Sequence, residues 1–81
     1  MEPIEVTARF DADGRVHPIK FVWKGMTVPV ASVGRDWKDQ EGLHVLVMDF
    51  QGQAYELVFV LAENRWYLAQ PRTTPGKILS I

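Results

Sequence analysis

The sequence contains no cysteine, which excludes a disulfide framework, a thiolate zinc site and thiol chemistry. It has only two histidines, His17 and His44, and neither stands in a His-x-x-x-His or His–carboxylate spacing that would assemble a metal site. No apolar run approaches the length of a membrane span, and the opening MEPIEVTARF lacks a basic-then-apolar leader. Together these absences give the expectation of a cytoplasmic protein without a membrane partner. Nine Lys and Arg against ten Asp and Glu leave a formal net charge of −1, so no global field draws the chain to nucleic acid. A glycine-rich phosphate cradle is missing too, and Ser32 and Ser80 lack any nucleophile-elbow context. The expectation is a non-enzyme, with no catalytic, cofactor-binding or metal-binding residue and no cofactor.

What the sequence does have is alternation. Eighty-one residues allow one domain, and three tryptophans within a 47% hydrophobic composition supply a core. Period-two patterning marks strands over residues 4–10, 15–24, 26–33, 43–50, 53–62 and 65–70. Asp11-Ala12-Asp13-Gly14 reads as a hairpin turn, because the rest of a calcium loop does not follow it. Pro18 and Pro29 each require an edge or a bulge, since proline donates nothing to a ladder. Gly34 to Gly42 is polar and glycine-bracketed and reads as a loop, with Trp37 anchoring it on the body. The fold expected is all-β: a single small antiparallel meander of about six strands, curled into a barrel or half-barrel. Residues 1–70 form the β-barrel-like domain, and 71–81 form a Pro/Gly linker with a short apolar C-terminal tail.

The central stretch, Leu43 to Leu68, carries the strongest pattern. A two-residue Gln51-Gly52 loop sets Leu46 opposite Leu57, Met48 opposite Tyr55 and His44 opposite Phe59. Leu46, Leu57, Phe59 and Trp66 then form a buried face. The other side of the pleat carries Val45, Val47, Val58 and Val60, apolar where a half-solvated sheet would be polar. Those four valines are the candidate self-association patch, to be covered by a second copy, by a protein partner, or by Ile78, Leu79 and Ile81 of the tail.

An alternative surface comes from basic residues interleaved with aromatics. Lys20, Trp23, Lys24, Arg35, Trp37 and Arg65 are the types that bind single-stranded nucleic acid on small β-barrels. Asp36, Asp39 and Glu41 cluster in sequence, but Arg35 and Lys38 among them give a charge-balanced, solvated loop. His44 reads as a strand residue. The function expected is a protein-interaction or self-association module, with single-stranded nucleic-acid binding as the alternative.

Two motifs carry a resemblance. PIKFVWKG at Pro18–Gly25 and YELVFVLAENRWYL at Tyr55–Leu68 resemble a family of small bacterial all-β domains of unknown function. In that family an aromatic-x-Trp-basic-Gly hairpin precedes a Tyr-Glu-Leu strand and a closing Arg-Trp-Tyr-Leu strand. The resemblance spans roughly Ala8 to Leu68 and supplies no catalytic residues. Its members stand alone or near translesion-type DNA polymerases, which implies a link to DNA damage tolerance. The chain departs from the pattern at Val58-Phe59-Val60, where such domains are more polar.

Overall fold

The alternating stretches form six strands: β1 (Glu2–Phe10), β2 (Val16–Trp23), β3 (Met26–Lys38), β4 (Leu43–Asp49), β5 (Ala54–Val60) and β6 (Arg65–Leu68). The computed structural model describes residues 1–69; the linker and tail expected over 71–81 lie outside them. Each strand pairs antiparallel with the next, and β6 pairs back onto β1, so the meander closes into a barrel. This is the all-β architecture that the alternation implies. Among the described residues no helix is long and apolar enough to cross a membrane.

Three of the five connections use one device, Asp-x-x-Gly. Asp11 Oδ1 accepts the amides of Asp13 and Arg15 at 3.0 and 2.9 Å, and the Gly14 amide donates back to the Asp11 carbonyl. Asp49 repeats this with Gln51 and Gln53 at 2.8 and 2.9 Å, and with Gly52 donating to its carbonyl. In both turns the glycine has a left-handed φ, +83° and +86°, the geometry of a three-residue hairpin loop closed by a glycine bulge. Asp39 Oδ1 likewise caps Glu41 and Gly42.

The Asp49 turn corrects the expected register. The loop is Phe50-Gln51-Gly52 rather than Gln51-Gly52, with the Asp49 amide donating to the Gln53 carbonyl at 3.0 Å. Val45 therefore faces Leu57, Val47 faces Tyr55 and Leu46 faces Glu56. Because side chains alternate, a slip of one partner residue regroups the faces. Val45, Val47 and Leu57 point inward together and are buried, Val45 and Leu57 at 0% exposure. Val58 and Val60 lie on the other face; Val58 is opposite His44 and Tyr67 and is also fully buried. The four valines thus form no common exposed patch. Leu46, expected in the core, is half-buried on the outer face; Phe59 and Trp66, also expected deep in the core, are half-buried and pack with tilted rings, 5.1 Å between centroids.

The barrel interior is built from Val16, Phe21, Val45, Val47, Leu57 and Leu68, with Ile4, Val6, Val28, Tyr55 and Trp66 packed around them. Phe21 and Trp23 meet the Tyr55 ring edge-on at 5.1 and 5.9 Å, the favourable arrangement for aromatic quadrupoles. Pro18 is buried opposite Ala8, and the register shift beside it leaves Ile19 unpaired. Pro29 is the last residue of β3 paired with β2, and pairing with β4 begins at Val30. Both prolines thus sit where a ladder bond is dispensable.

β3 runs on through Lys38, so most of the stretch expected as a loop is strand. Two register shifts, between Val30 and Ser32 and between Val33 and Asp36, bend it around the barrel. Bulges and a largely exposed run from Ala31 to Arg35 erase the alternation that marks a strand. Only Asp39 to Gly42 is left as the connection to β4.

Candidate functional site

The register that buries Val45 and Leu57 turns His44 outward, yet His44 is only 5% exposed. Three elements converge on it. Trp37, opposite on β3, stacks on the imidazole with centroids 4.9 Å apart and ring planes 7° from parallel. From β5, Glu56 Oε2 lies 2.7 Å from His44 Nδ1. From the β3–β4 connection, Asp39 Oδ1 lies 2.9 Å from Nε2, and Glu41 Oε1 lies 3.7 Å from it. Arg35 reaches to 4.8 Å from the same indole, a cation–π contact.

Burial alone would push the His44 pKa down. Hydrogen bonds to Glu56 and Asp39, with the charges they bring, outweigh it and hold the pKa above the ordinary 6.5. Asp39 is held below the ordinary carboxylate value, first by its bond to His44, against burial, and then by the amides of Glu41 and Gly42. A carboxylate oxygen thus faces each ring nitrogen, so the imidazolium can donate from both, and the raised pKa extends the pH range over which it does so. The ligating atoms of Asp39, Glu41 and His44 lie within 4.8 Å of one another, close enough for a cation. When protonated, the ring itself supplies a positive charge to the same carboxylates. With both nitrogens bonded and one ring face on Trp37, the centre has the makings of a clamp rather than of a proton relay.

The other two Asp-x-x-Gly turns make the same reach. Asp11 Oδ2 lies 3.0 Å from His17 Nε2, and Tyr55 donates to Asp49 Oδ2 at 3.0 Å. In all three, the aspartate that shapes the turn also holds a ring five or six residues later. Asp36, read with Asp39 and Glu41 as one acidic cluster, departs from them and faces Arg15 at 3.8 Å.

The clamp has a pH signature. A pKa raised in the folded state contributes stability that is present in full below about pH 6.5 and lost as pH rises through the folded value. Asp39, Asp11 and Asp49 are lowered, so their contribution is present above about pH 3.8 and lost as pH falls through their folded values. The denaturant midpoint should therefore rise on going from about pH 8 to about pH 6. His44→Gln should flatten that rise and cost about 1–3 kcal/mol at the lower pH, the scale of a hydrogen bond to a charged group. An unchanged slope in the variant would place the titrating group elsewhere.

A second feature lies at the opposite end of the barrel. The β2–β3 tip, Lys24-Gly25, has positive φ at both residues, the signature of a type I′ turn. Beside the β4–β5 loop it forms a cleft of about 320 Å³ lined by Trp23, Met26, Val28, Phe50 and Tyr55. Its lips are the most exposed large apolar side chains of the described residues: Phe50 at 75% and Met26 at 67%. Trp23 lies between the Tyr55 ring and Lys24, whose ammonium is 4.6 Å from the indole, and its Nε1–H donates to Glu2.

The six nucleic-acid candidates do not form one surface. Trp23 and Lys24 stand at this cleft, Arg35 and Trp37 near the far end of β3, Arg65 at the start of β6, and Lys20 on the flank of β2. Met26 and Phe50 escaped the sequence reading because each is a lone apolar residue in or beside a turn. The His44 centre left a trace, an Asp-x-x-Gly followed by histidine five residues after the aspartate. No family model, curated protein or solved structure matches the chain.

Proposed function

We propose that the chain is a protein-interaction module whose contact surface is the cleft between the β2–β3 and β4–β5 tips. The observation that carries this reading is the exposure of Phe50 and Met26 on the lips of a cleft floored by Trp23, Val28 and Tyr55. Large side chains held in water at rigid hairpin tips contribute nothing to the core, but they supply apolar contact area to a partner. A cleft lined by Trp23, Phe50 and Tyr55 suits an extended, proline-containing segment, whose conformation is already ordered before it binds. The family resemblance implies a link to DNA damage tolerance. That link is part of the proposal.

The test is selection from a displayed peptide library against the 81-residue chain, followed by titration monitored by tryptophan fluorescence. Proline-containing apolar peptides should emerge, shift Trp23 emission, and lose at least about tenfold in affinity against Met26→Ser/Phe50→Ser. Peptides that bind the double variant equally well would remove the cleft from the proposal. Single-stranded oligonucleotide is titrated in parallel, because the Lys24–Trp23 pair is the local arrangement that base stacking would use. Quenching by oligonucleotide that salt reverses, without peptide binding, would favour the nucleic-acid reading instead.

A further inference from the structure

The ladder that closes the barrel is incomplete along β1. β6 meets β1 only at Glu2, Pro3 and Ile4, whereas β1 continues to Phe10 paired only with β2. Among the described residues, the edge of β1 from Glu5 to Phe10 therefore has no ladder partner on its β6 side. Other strand segments are also paired on one side only: Glu2–Ile4 of β1, Val16–Pro18 of β2, Met26–Pro29 and Val30–Lys38 of β3, and Ala54–Glu56 of β5. Each of these is short or blunted. Pro3, Pro18 and Pro29 stand in the first three, Val30–Lys38 has two register shifts and Gly34, and the Glu56 carbonyl in the short β5 segment accepts the Ala69 amide. Proline, bulges and shortness are the usual protections against edge pairing. The Glu5–Phe10 edge has no proline and no bulge of its own, since its register shift places the extra residue on β2.

We propose that β1 pairs antiparallel with β1 of a second copy about a two-fold axis at Thr7. The outward side chains of the free edge, Glu5, Thr7 and Arg9, are all exposed. In an antiparallel pair centred on Thr7, each Glu5 lies opposite the Arg9 of the other copy, and the two threonines meet at the axis. Opposite charges directly across a ladder stabilise it. Centring on Val6 would set Arg9 opposite Pro3, and centring on Ala8 would set Glu5 opposite Asp11. The charge pattern therefore selects a single register. On the inward face, Val6 of one copy meets Ala8 of the other, so both barrels keep their cores on one side of a continuous sheet.

Phe10 supplies the second observation. It is 58% exposed at the end of β1, too far along to pack in its own barrel. In the Thr7 register it reaches the last β1–β6 pair of the other copy, Ile4–Trp66. Beyond that pair β6 leaves β1, and a shallow groove of about 530 Å³ lies there, lined by Ile4, Glu5, Val6, Asn64, Arg65 and Trp66. An apolar knob on each copy thus meets the Ile4, Val6 and Trp66 side of a groove on the other, as an isologous interface requires. The pairing uses a surface separate from the hairpin-tip cleft and does not depend on it.

Sedimentation equilibrium of the 81-residue chain from about 1 µM to about 1 mM should show a monomer–dimer equilibrium. Glu5→Arg alone and Arg9→Glu alone each set like charges across the ladder twice, and each should weaken the dimer at least tenfold at low salt. The double exchange Glu5→Arg/Arg9→Glu restores opposite charges and should return the dissociation constant to within about threefold of the original. Far-UV circular dichroism confirms that each variant folds. A wild type that remains monomeric throughout overturns the proposal. So does a dimer that neither single reversal weakens, or a double exchange no better than the singles.

Discussion

Leu57→Ala is expected to lower the stability of the barrel by about 2–5 kcal/mol, the range for emptying a fully buried leucine site. Leu46→Ala, one strand away, should cost less than about 1.5 kcal/mol, since its side chain is half-buried on the outer face. Leu57 has 0% exposure and stands opposite Val45, with Leu68 on its other side. Its removal leaves a cavity that closed β-ladders on both flanks prevent from collapsing. The contrast between the two variants reads out the register. If Leu46 faced Leu57 across the hairpin, both would lie in one core and their costs would be alike. Urea midpoints, compared at constant m-value, decide between the two arrangements.

The strand count and antiparallel order were legible because β-branched and aromatic residues alternate with polar ones between recognisable turns. The register of the central hairpin was not, for a local reason. Gln51-Gly52 looks like a two-residue loop, but the Asp49 side chain holds the amides of Gln51 and Gln53 and widens the loop by one residue. These bonds favour the wider loop, and the resulting register turns Val45 and Val47 inward while Val58 and Val60 stay on the outer face. The same Asp-x-x-Gly spacing occurs at Asp11 and Asp39, so the signal was present but only visible as a recurrence.

The His44 centre was half legible. Asp39 and Glu41 stood out as a carboxylate cluster, but their target depends on β3 running to Lys38, which brings Trp37 opposite His44. Bulges concealed that continuation. The free edge of β1 and the cleft depend on where β6 and the hairpin tips end in space, and local patterning has no access to that. The valine patch failed for a complementary reason: a closed barrel buries one face of every strand. Apolar residues on both faces of the hairpin were satisfied by the interior on one side and, at Val58, by burial beside the His44 centre on the other.

Gly42→Ala should be among the most damaging single substitutions in the described chain, costing on the order of 3 kcal/mol or more. A Cβ at Gly42 would stand 2.1 Å from the Phe59 carbonyl oxygen and 3.0 Å from its carbon. Both belong to backbone held in the β5 ladder, so neither can rotate away. The residue also has φ +154°, a conformation that a side chain disfavours. Gly52→Ala is the matching control: its φ is +86°, but no atom lies within 4 Å of the added carbon. It should cost only the left-handed backbone penalty of about 1–2 kcal/mol. The difference between the two isolates the steric term from the conformational one. Gly42 also donates to Asp39 Oδ1 at 3.2 Å and accepts from the Asp39 amide at 3.0 Å, so displacing it shifts the carboxylate that holds His44. Gly42→Ala should therefore lose the rise in stability between about pH 8 and about pH 6 together with its baseline stability. Gly52→Ala should keep that rise. A Gly42→Ala protein as stable as Gly52→Ala, with the rise intact, would show that the β3–β4 connection does not pack on Phe59.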